Sequence, residues 1–440
     1  MTVNGIELSE SQLEVVTEAV EWFNHSTEQV FQYDGPPGSG KSLVLIAIVK
    51  ALGLDILTEV APMSFIGAAS LVMRRNGLFN AKTAHSWLYE LVNVPKRNDK
   101  GDIMYRSNGS MITYKDFRPK RTIDSHIKLI IVDEAYCMPR YMRQTVEKFG
   151  IKIIACGDSH QLPPVGDMPA YLDHGKILHL REVYRQGKRG DIIFLANQRY
   201  NREPVSVGHY GSSIVMGRSD LNDDWLLWAD AIIVGTNRTR DIINNRVRYI
   251  QGFNTPLPCY GEKLVCRNNN WSLTAVTNDG VTVSLVNGLI GRVANQPSIS
   301  EYDPKLGTFR LIFNYESAGC SFECNANYKY ITSDHEERSK IKSIQNTHSY
   351  GQYFEYAYAI TCHIAQGSQF SKVIYIEEPM GAIQPALDLV GITRAVDRLV
   401  YVKNDGLDLN MLFGVNDMLH RAETTANKHI ANMAKSYNPL

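Results

Sequence analysis

The sequence predicts an α/β protein of two parallel-sheet domains, with a small β-rich insertion in the second. Three observations predict it. Short, wholly apolar runs such as "KLIIVDEA" (128–135) and "IKIIACGD" (151–158) alternate with helical patterns, the signature of parallel strands covered on both faces. A second set of such runs begins at "DAIIVGTN" (230–237) and resumes at 356–379 and 387–402. Between the parts of that second set, "VTVSLVNGLIGRVAN" (281–295) and "TFRLIFNYES" (308–317) are short β-like runs with Asn/Gly turns. The division expected is 1–190 for the first domain, with an insertion at 90–127. Residues 191–254 and 351–440 make the second domain, and 255–350 the β-rich insertion.

The bulk composition agrees. A chain of 440 residues is too long for one ordinary domain. Its 44% apolar and 21% charged content is that of a globular protein. No run of about 18 uncharged apolar residues occurs, and the N-terminus has neither a basic nor an apolar leader segment, so neither membrane nor secretion is expected. Seven scattered cysteines read as reduced thiols. Cys320 and Cys324 lack a second ligand pair at zinc spacing. The formal net charge is zero, so composition alone does not mark a nucleic-acid binder. Locally, however, residues 91–128 carry nine Lys/Arg against four Asp, interleaved with Tyr105, Tyr114 and Phe117.

In chain order, Leu13, Val16, Val20 and Phe23 at helical spacing make an amphipathic first helix. "FQYDGPPGSGKSLVLIAI" (31–48) then runs from an extended start, through a glycine-rich loop, into a helical pattern. The loop Gly35-Pro36-Pro37-Gly38-Ser39-Gly40-Lys41-Ser42 fits G-x-x-x-x-G-K-[ST]. Glycines let backbone N–H groups turn inward around phosphate, and the helix N-terminus adds its positive end. Lys41 would reach the β- and γ-phosphates of ATP, with the Ser42 hydroxyl on Mg²⁺.

The strand ending in Asp133-Glu134 supplies a second magnesium group, Asp133, and a carboxylate, Glu134, able to polarise an attacking water. Loop and carboxylates together indicate an ATPase. "CGDSHQLPPVG" (156–166) adds Gln161, whose amide would sense the γ-phosphate.

Taken in order, GPPGSGKS, VDEA, GDSHQLPPV, "REVYRQ" (181–186), "TCHIAQGSQF" (361–370) and "VGITRA" (390–395) resemble the motif series of superfamily 1 helicases. The closest resemblance is to the RecD/Dda-like branch of 5′→3′ DNA helicases, of phage or bacterial type. It implies two RecA-like P-loop domains, an SH3-like β insertion in the second and a β-hairpin pin in the first. It further implies that Gln12 reads adenine, that Tyr184 stacks on the base, and that Gly367 lies in the nucleotide site. Arg185 and Arg394 resemble the two arginines that touch the γ-phosphate.

For the strand-binding side the resemblance points to "VAPMSFIGAA" (60–69) and "TAHSWL" (83–88), hence to Pro62, Ser64, Phe65, Thr83 and His85. In the second domain it points to Thr236, Asn237, Thr361, His363, Gln366 and Ser368. Such hydroxyls and amides position a phosphate backbone without reading bases. "DIMYRSNGSMITY" (102–114), with β-formers around Asn108-Gly109, predicts a hairpin where the family carries its pin, with Tyr105 or Met104 at the junction. Two positions depart from the family pattern: Met63 replaces a common threonine, and Gln369 a usual acidic residue.

The resulting expectation is an ATP- and Mg²⁺-driven DNA helicase acting on single strands and duplex junctions in replication, recombination or repair. It would be monomeric, in the cytoplasm of a bacterium or phage-infected cell, with a replication or single-strand-binding protein as partner. The alternatives are a nucleic-acid-stimulated translocase without unwinding, an RNA helicase, or a nucleotide-switch scaffold.

Overall fold

Leu129–Asp133 is buried along its whole length, and its side chains alternate between two cores. Leu129 and Ile131 pack with Val15, Val16 and Ala19 of helix α1 (Glu10–His25) and with Val44 and Ile48 of helix α2 (Lys41–Ala51). Ile130 and Val132 pack on the opposite face with Met138, Met142 and Val146. One apolar run thus serves two layers of helix, because successive strand side chains point to opposite faces.

In this computed structural model the described residues are 1–3, 5–98, 101–106, 109–181, 186–253, 255–278, 280, 282–298, 302–303, 306–344 and 351–413. They belong to two compact units, Met1–Tyr184 and Arg185–Leu440. The first holds a six-stranded sheet in the order Ile177–His179, Val30–Asp34, Lys152–Gly157, Leu129–Asp133, Val60–Ser64, Lys82–Thr83. Every neighbouring pair in it is parallel. The second unit holds another six-stranded sheet: Gly208–Tyr210, Ser213–Gly217, Ala395–Lys403, Phe370–Ile376, Ala231–Val234, Ala359–Thr361. It is parallel except at its edge, where the first two strands form a hairpin. These are two RecA-like α/β domains.

Two smaller pieces interrupt them. In the first unit, Tyr89–Pro95 and Thr113–Pro119 pair antiparallel over seven residues each. Beyond this stem three backbone bonds close a ring: Lys96 N–H to Ile112 O (2.8 Å), Ile112 N–H to Met104 O (2.9 Å) and Met104 N–H to Lys96 O (2.8 Å). Tyr105 bridges to Met111, and both are exposed. Asn108, in the expected turn, lies outside the described residues, and neighbouring Gly109 takes φ 78°, a left-handed conformation suited to glycine.

In the second unit an antiparallel five-stranded sheet runs Cys320–Asn327, Thr308–Tyr315, Ile290–Val293, Lys263–Cys266, Phe354–Tyr356. Its last strand comes from beyond residue 350. The region is also not wholly β: Tyr328–Thr332 and His335–Ile344 are helical. Asn327 caps the first of these helices through Tyr330 N–H (2.8 Å), and Ile341 packs with Tyr330 and Tyr353. No helix among the described residues is long and apolar enough to cross a membrane.

Candidate nucleotide site and strand-binding residues

The strand Val30–Asp34 delivers the glycine-rich loop to the C-terminal edge of the first sheet. Gly35 N–H donates to Gly157 O of the adjacent strand at 3.1 Å. Gly38 and Gly40 have φ of 91° and 83°, conformations that an L side chain resists. A Cβ on Gly40 would stand 2.5 Å from Gln12 Nε2. Helix α2 starts at Lys41 with no side-chain cap, which leaves its first N–H groups for an anion. Lys41 Nζ donates to Gly35 O (2.7 Å) and Pro36 O (3.3 Å). Ser39 Oγ is buried with no hydrogen-bond partner. Tyr33, beneath the loop, donates its hydroxyl to Lys41 O at 3.0 Å.

Gln12 is committed at both ends of its amide. Oε1 accepts Ser9 N–H (3.1 Å) in a capping box at the start of α1, and Nε2 donates to Ser39 O (2.8 Å). Its amide therefore ties the first helix to the phosphate loop. Gln12→Ala removes both the box and the tie, so the nucleotide-free protein is expected to lose about 1–2 kcal/mol. Calorimetry without nucleotide checks this; a melting temperature unchanged from wild type would leave Gln12 as an adenine contact alone.

The two carboxylates stand in different surroundings. Asp133 is buried, accepts Glu134 N–H (2.9 Å) and receives the Cys156 thiol (3.3 Å). Burial holds its carboxyl above the usual range, opposed by the Cys156 bond and the Lys41 charge. Burial also pushes up the Cys156 thiol. Glu134 has φ 51° and ψ 42°, a left-handed backbone that is uncommon outside glycine. That turn carries the chain off the strand end immediately after Asp133.

Gln161 is buried, and its Nε2 donates to Asp158 Oδ2 at 3.3 Å. A carboxylate only accepts, so the amide orientation is fixed. Its Oε1 is buried and has no hydrogen-bond partner among the described residues. His160 bonds the same carboxylate at 3.3 Å. Burial raises Asp158, but His160 and Lys41 more than offset that and leave it below the ordinary carboxylate range. The His160 imidazole is raised by the Asp158 bond.

What the chain shares with known proteins is its fold. A family model described as an AAA domain matches residues 7–211. Among solved structures, Bacteroides Pif1 bound to single-stranded DNA aligns with a TM-score of 0.51 at 14% identity, covering 96% of this chain and 98% of that one. A structure of two coordinating Pif1 helicases at forked double-stranded DNA aligns with a TM-score of 0.51 at 15% identity, with the same coverage. No curated protein matches the chain in sequence. The chain shares the fold of these Pif1 structures.

In this fold, several of the first unit's candidate strand-binding groups already hold the local structure in shape. Ser64 Oγ accepts Ile66 N–H (3.3 Å), Thr83 Oγ1 accepts Ser86 N–H (3.4 Å), and Pro62 O accepts Trp87 Nε1 (2.8 Å). His85 lies between Phe65 and Tyr89, with ring centroids 5.7 Å and 5.4 Å away; burial lowers its pKa, favouring the neutral ring. Met63 is fully buried.

In the second unit Thr361 starts a short helix, and burial lowers the His363 pKa. Gln366 is buried, and Gly367 has φ 76°. Arg394 is buried, with Nε on Val390 O (3.1 Å) and Nη1 on Ser368 O (3.3 Å). Asn237 Oδ1 accepts Arg240 Nη1 at 2.8 Å. Tyr184 and Arg185 lie outside the described residues.

Sequence reasoning missed two partnerships. Asp158 orients Gln161, and the adjacency of "GD" to "HQ" was its available signal. Glu378 holds Thr236: its Oε2 accepts the N–H groups of Gly235 (2.6 Å) and Thr236 (2.9 Å), and its Oε1 accepts the hydroxyls of Thr236 (2.8 Å) and Thr239 (2.6 Å). A carboxylate thus already fills the helix N-terminus that the resemblance assigns to a strand phosphate.

Proposed function

We propose that the protein is an ATP-dependent DNA helicase that moves 5′→3′ along single-stranded DNA and separates duplex. The observation that carries the reading is the meeting at one sheet edge of the uncapped loop-helix, Lys41, Asp133, Glu134 and the orphaned Gln161 Oε1. An uncapped helix start and a lysine resting on two loop carbonyls suit triphosphate. Ser42, and Asp133 through water, would hold Mg²⁺, which when bound would neutralise phosphate charge. Glu134 takes the proton of the attacking water, and Gln161 Oε1 accepts a hydrogen bond from it. Arg185 and Arg394 stabilise charge on the transferring phosphoryl group, for which Arg394 must exchange Val390 O and Ser368 O for phosphate oxygens. The DNA named for the two similar structures supports DNA as the strand. The exposed Tyr105 is the proposed separation element.

The test is strand separation on a short duplex with either a 5′ or a 3′ single-stranded tail, in ATP and Mg²⁺. Unwinding from the 5′ tail only, abolished in Lys41→Ala, is expected. DNA-stimulated hydrolysis without separation from either tail would reduce the protein to a translocase.

A further inference from the structure

A cleft of about 680 Å³ lies in the second unit where its parallel sheet meets the β-rich piece. Its walls combine aromatic surface from Trp228, Phe253 and Tyr260 with the cations Lys263, Arg292 and Lys372. It sits at the N-terminal edge of the sheet. Asp230 immediately precedes Ala231–Val234, and Lys372 lies near the start of Phe370–Ile376. Thr236 lies past the opposite end of Ala231–Val234, and Thr361 is the last residue of the parallel strand Ala359–Thr361. The cleft is therefore not part of the candidate strand-binding edge.

Its charge is unbalanced. Among the described residues Lys263 Nζ donates to a backbone oxygen, Asp230 O, at 2.5 Å. Lys372 has no carboxylate partner among the described residues and lies over the Trp228 ring at 5.6 Å. Arg292 spends one nitrogen on Gly261 O and meets an exposed Glu316 at 3.3 Å. The one lining carboxylate, Asp230, is occupied by Lys372 N–H at 2.9 Å. Burial and neighbouring Arg292 lower the Lys263 pKa, against the opposing pull of Asp230 and Glu316. Tyr260 is 67% exposed, and Trp228 is held edge-on by Trp225 with centroids 5.6 Å apart.

We infer that this cleft docks an acidic peptide segment of a partner protein, with a large apolar side chain on the aromatic wall and carboxylates on Lys263, Arg292 and Lys372. Charge complementarity favours this occupant over a nucleic-acid strand. A strand needs cations spaced along a track, whereas these converge on one concavity that also contains a carboxylate.

The probe is a fluorescein-labelled peptide, Asp-Glu-Phe-Asp-Asp-Leu, read by fluorescence polarisation on the full chain. Controls replace Phe and Leu by Ala, or Asp and Glu by Lys; a thymidine oligonucleotide serves as competitor. Binding by the first peptide alone is expected, weakened at least roughly tenfold by Lys372→Glu and by Tyr260→Ala, with ATP hydrolysis in both variants at the wild-type rate. Equal binding in the variants, or no binding by any peptide, overturns the inference. So does displacement by the oligonucleotide together with its own loss of affinity in Lys372→Glu, which makes the cleft a nucleic-acid site. Because hydrolysis is read separately, failure here leaves the helicase reading standing.

Discussion

Glu134→Gln is expected to lower the rate of DNA-stimulated ATP hydrolysis by roughly 10²–10⁴-fold while nucleotide binding survives. The amide keeps the side-chain volume and removes the proton acceptor. Lys41, Asp133 and the loop amides, which would hold the phosphates, are untouched. The backbone supplies a second readout. Glu134 sits at φ 51°, ψ 42°, a conformation that costs a non-glycine residue roughly 1–2 kcal/mol. Glutamine inherits that cost, so Glu134→Gln should melt with the wild type. Glu134→Gly relieves it and should be equally inactive yet more stable by up to about 1 kcal/mol, less what glycine loses in chain entropy. Steady-state hydrolysis, nucleotide titration and calorimetry on the three proteins check this. Hydrolysis by Glu134→Gln within about threefold of wild type would remove Glu134 from the chemistry and direct attention to Asp158.

What was legible in the sequence follows from how local each feature is. The phosphate loop could be read because glycine, lysine and serine at fixed spacing carry the chemistry within eight consecutive residues. The sheets could be read because a strand buried on both faces, such as Leu129–Asp133, is apolar at every position until its functional end. The partners of those groups could not. Cys156 meets Asp133 only because the two strands are neighbours. Glu378 reaches Thr236 from 142 residues away, so the hydroxyl read as a phosphate ligand proved to be held by a carboxylate. Arg394 turns inward onto Val390 O of its own helix and Ser368 O, which no spacing rule announces. The helix at 335–344 escaped notice because it is mostly polar, with Ile341 its buried apolar side chain.

Glu355→Gln is expected to be the most destabilising single change in the second unit. Glu355 is buried in the strand Phe354–Tyr356, accepts hydrogen bonds from Arg240 Nη1 (2.7 Å) and the Tyr330 hydroxyl (3.0 Å), and is ion-paired with Arg267, Nε lying at 3.2 Å. Arg338 and Lys342 add positive charge, while Asp241, which pairs with Arg240 and Arg338, is the other acid. Removing the Glu355 charge leaves four cations facing one carboxylate. Breaking a buried pair from one side costs roughly 3–5 kcal/mol, which for a unit of this size lowers the melting temperature by about 10 °C. The pH dependence gives the sign independently. Burial alone would raise the Glu355 carboxyl, but Arg267, Arg240, Arg338 and Lys342 overcome it and hold it at about 2, against the ordinary 4.5. A depressed acid contributes stability that is complete above the unfolded value and is lost as pH falls from about 4.5 towards 2. Wild type should therefore lose stability across that window, and Glu355→Gln, already low at neutral pH, should lose correspondingly less. Denaturant unfolding of both proteins at pH 7, 4.5 and 3 measures the difference; parallel losses in the two would show that Glu355 is not the group that titrates.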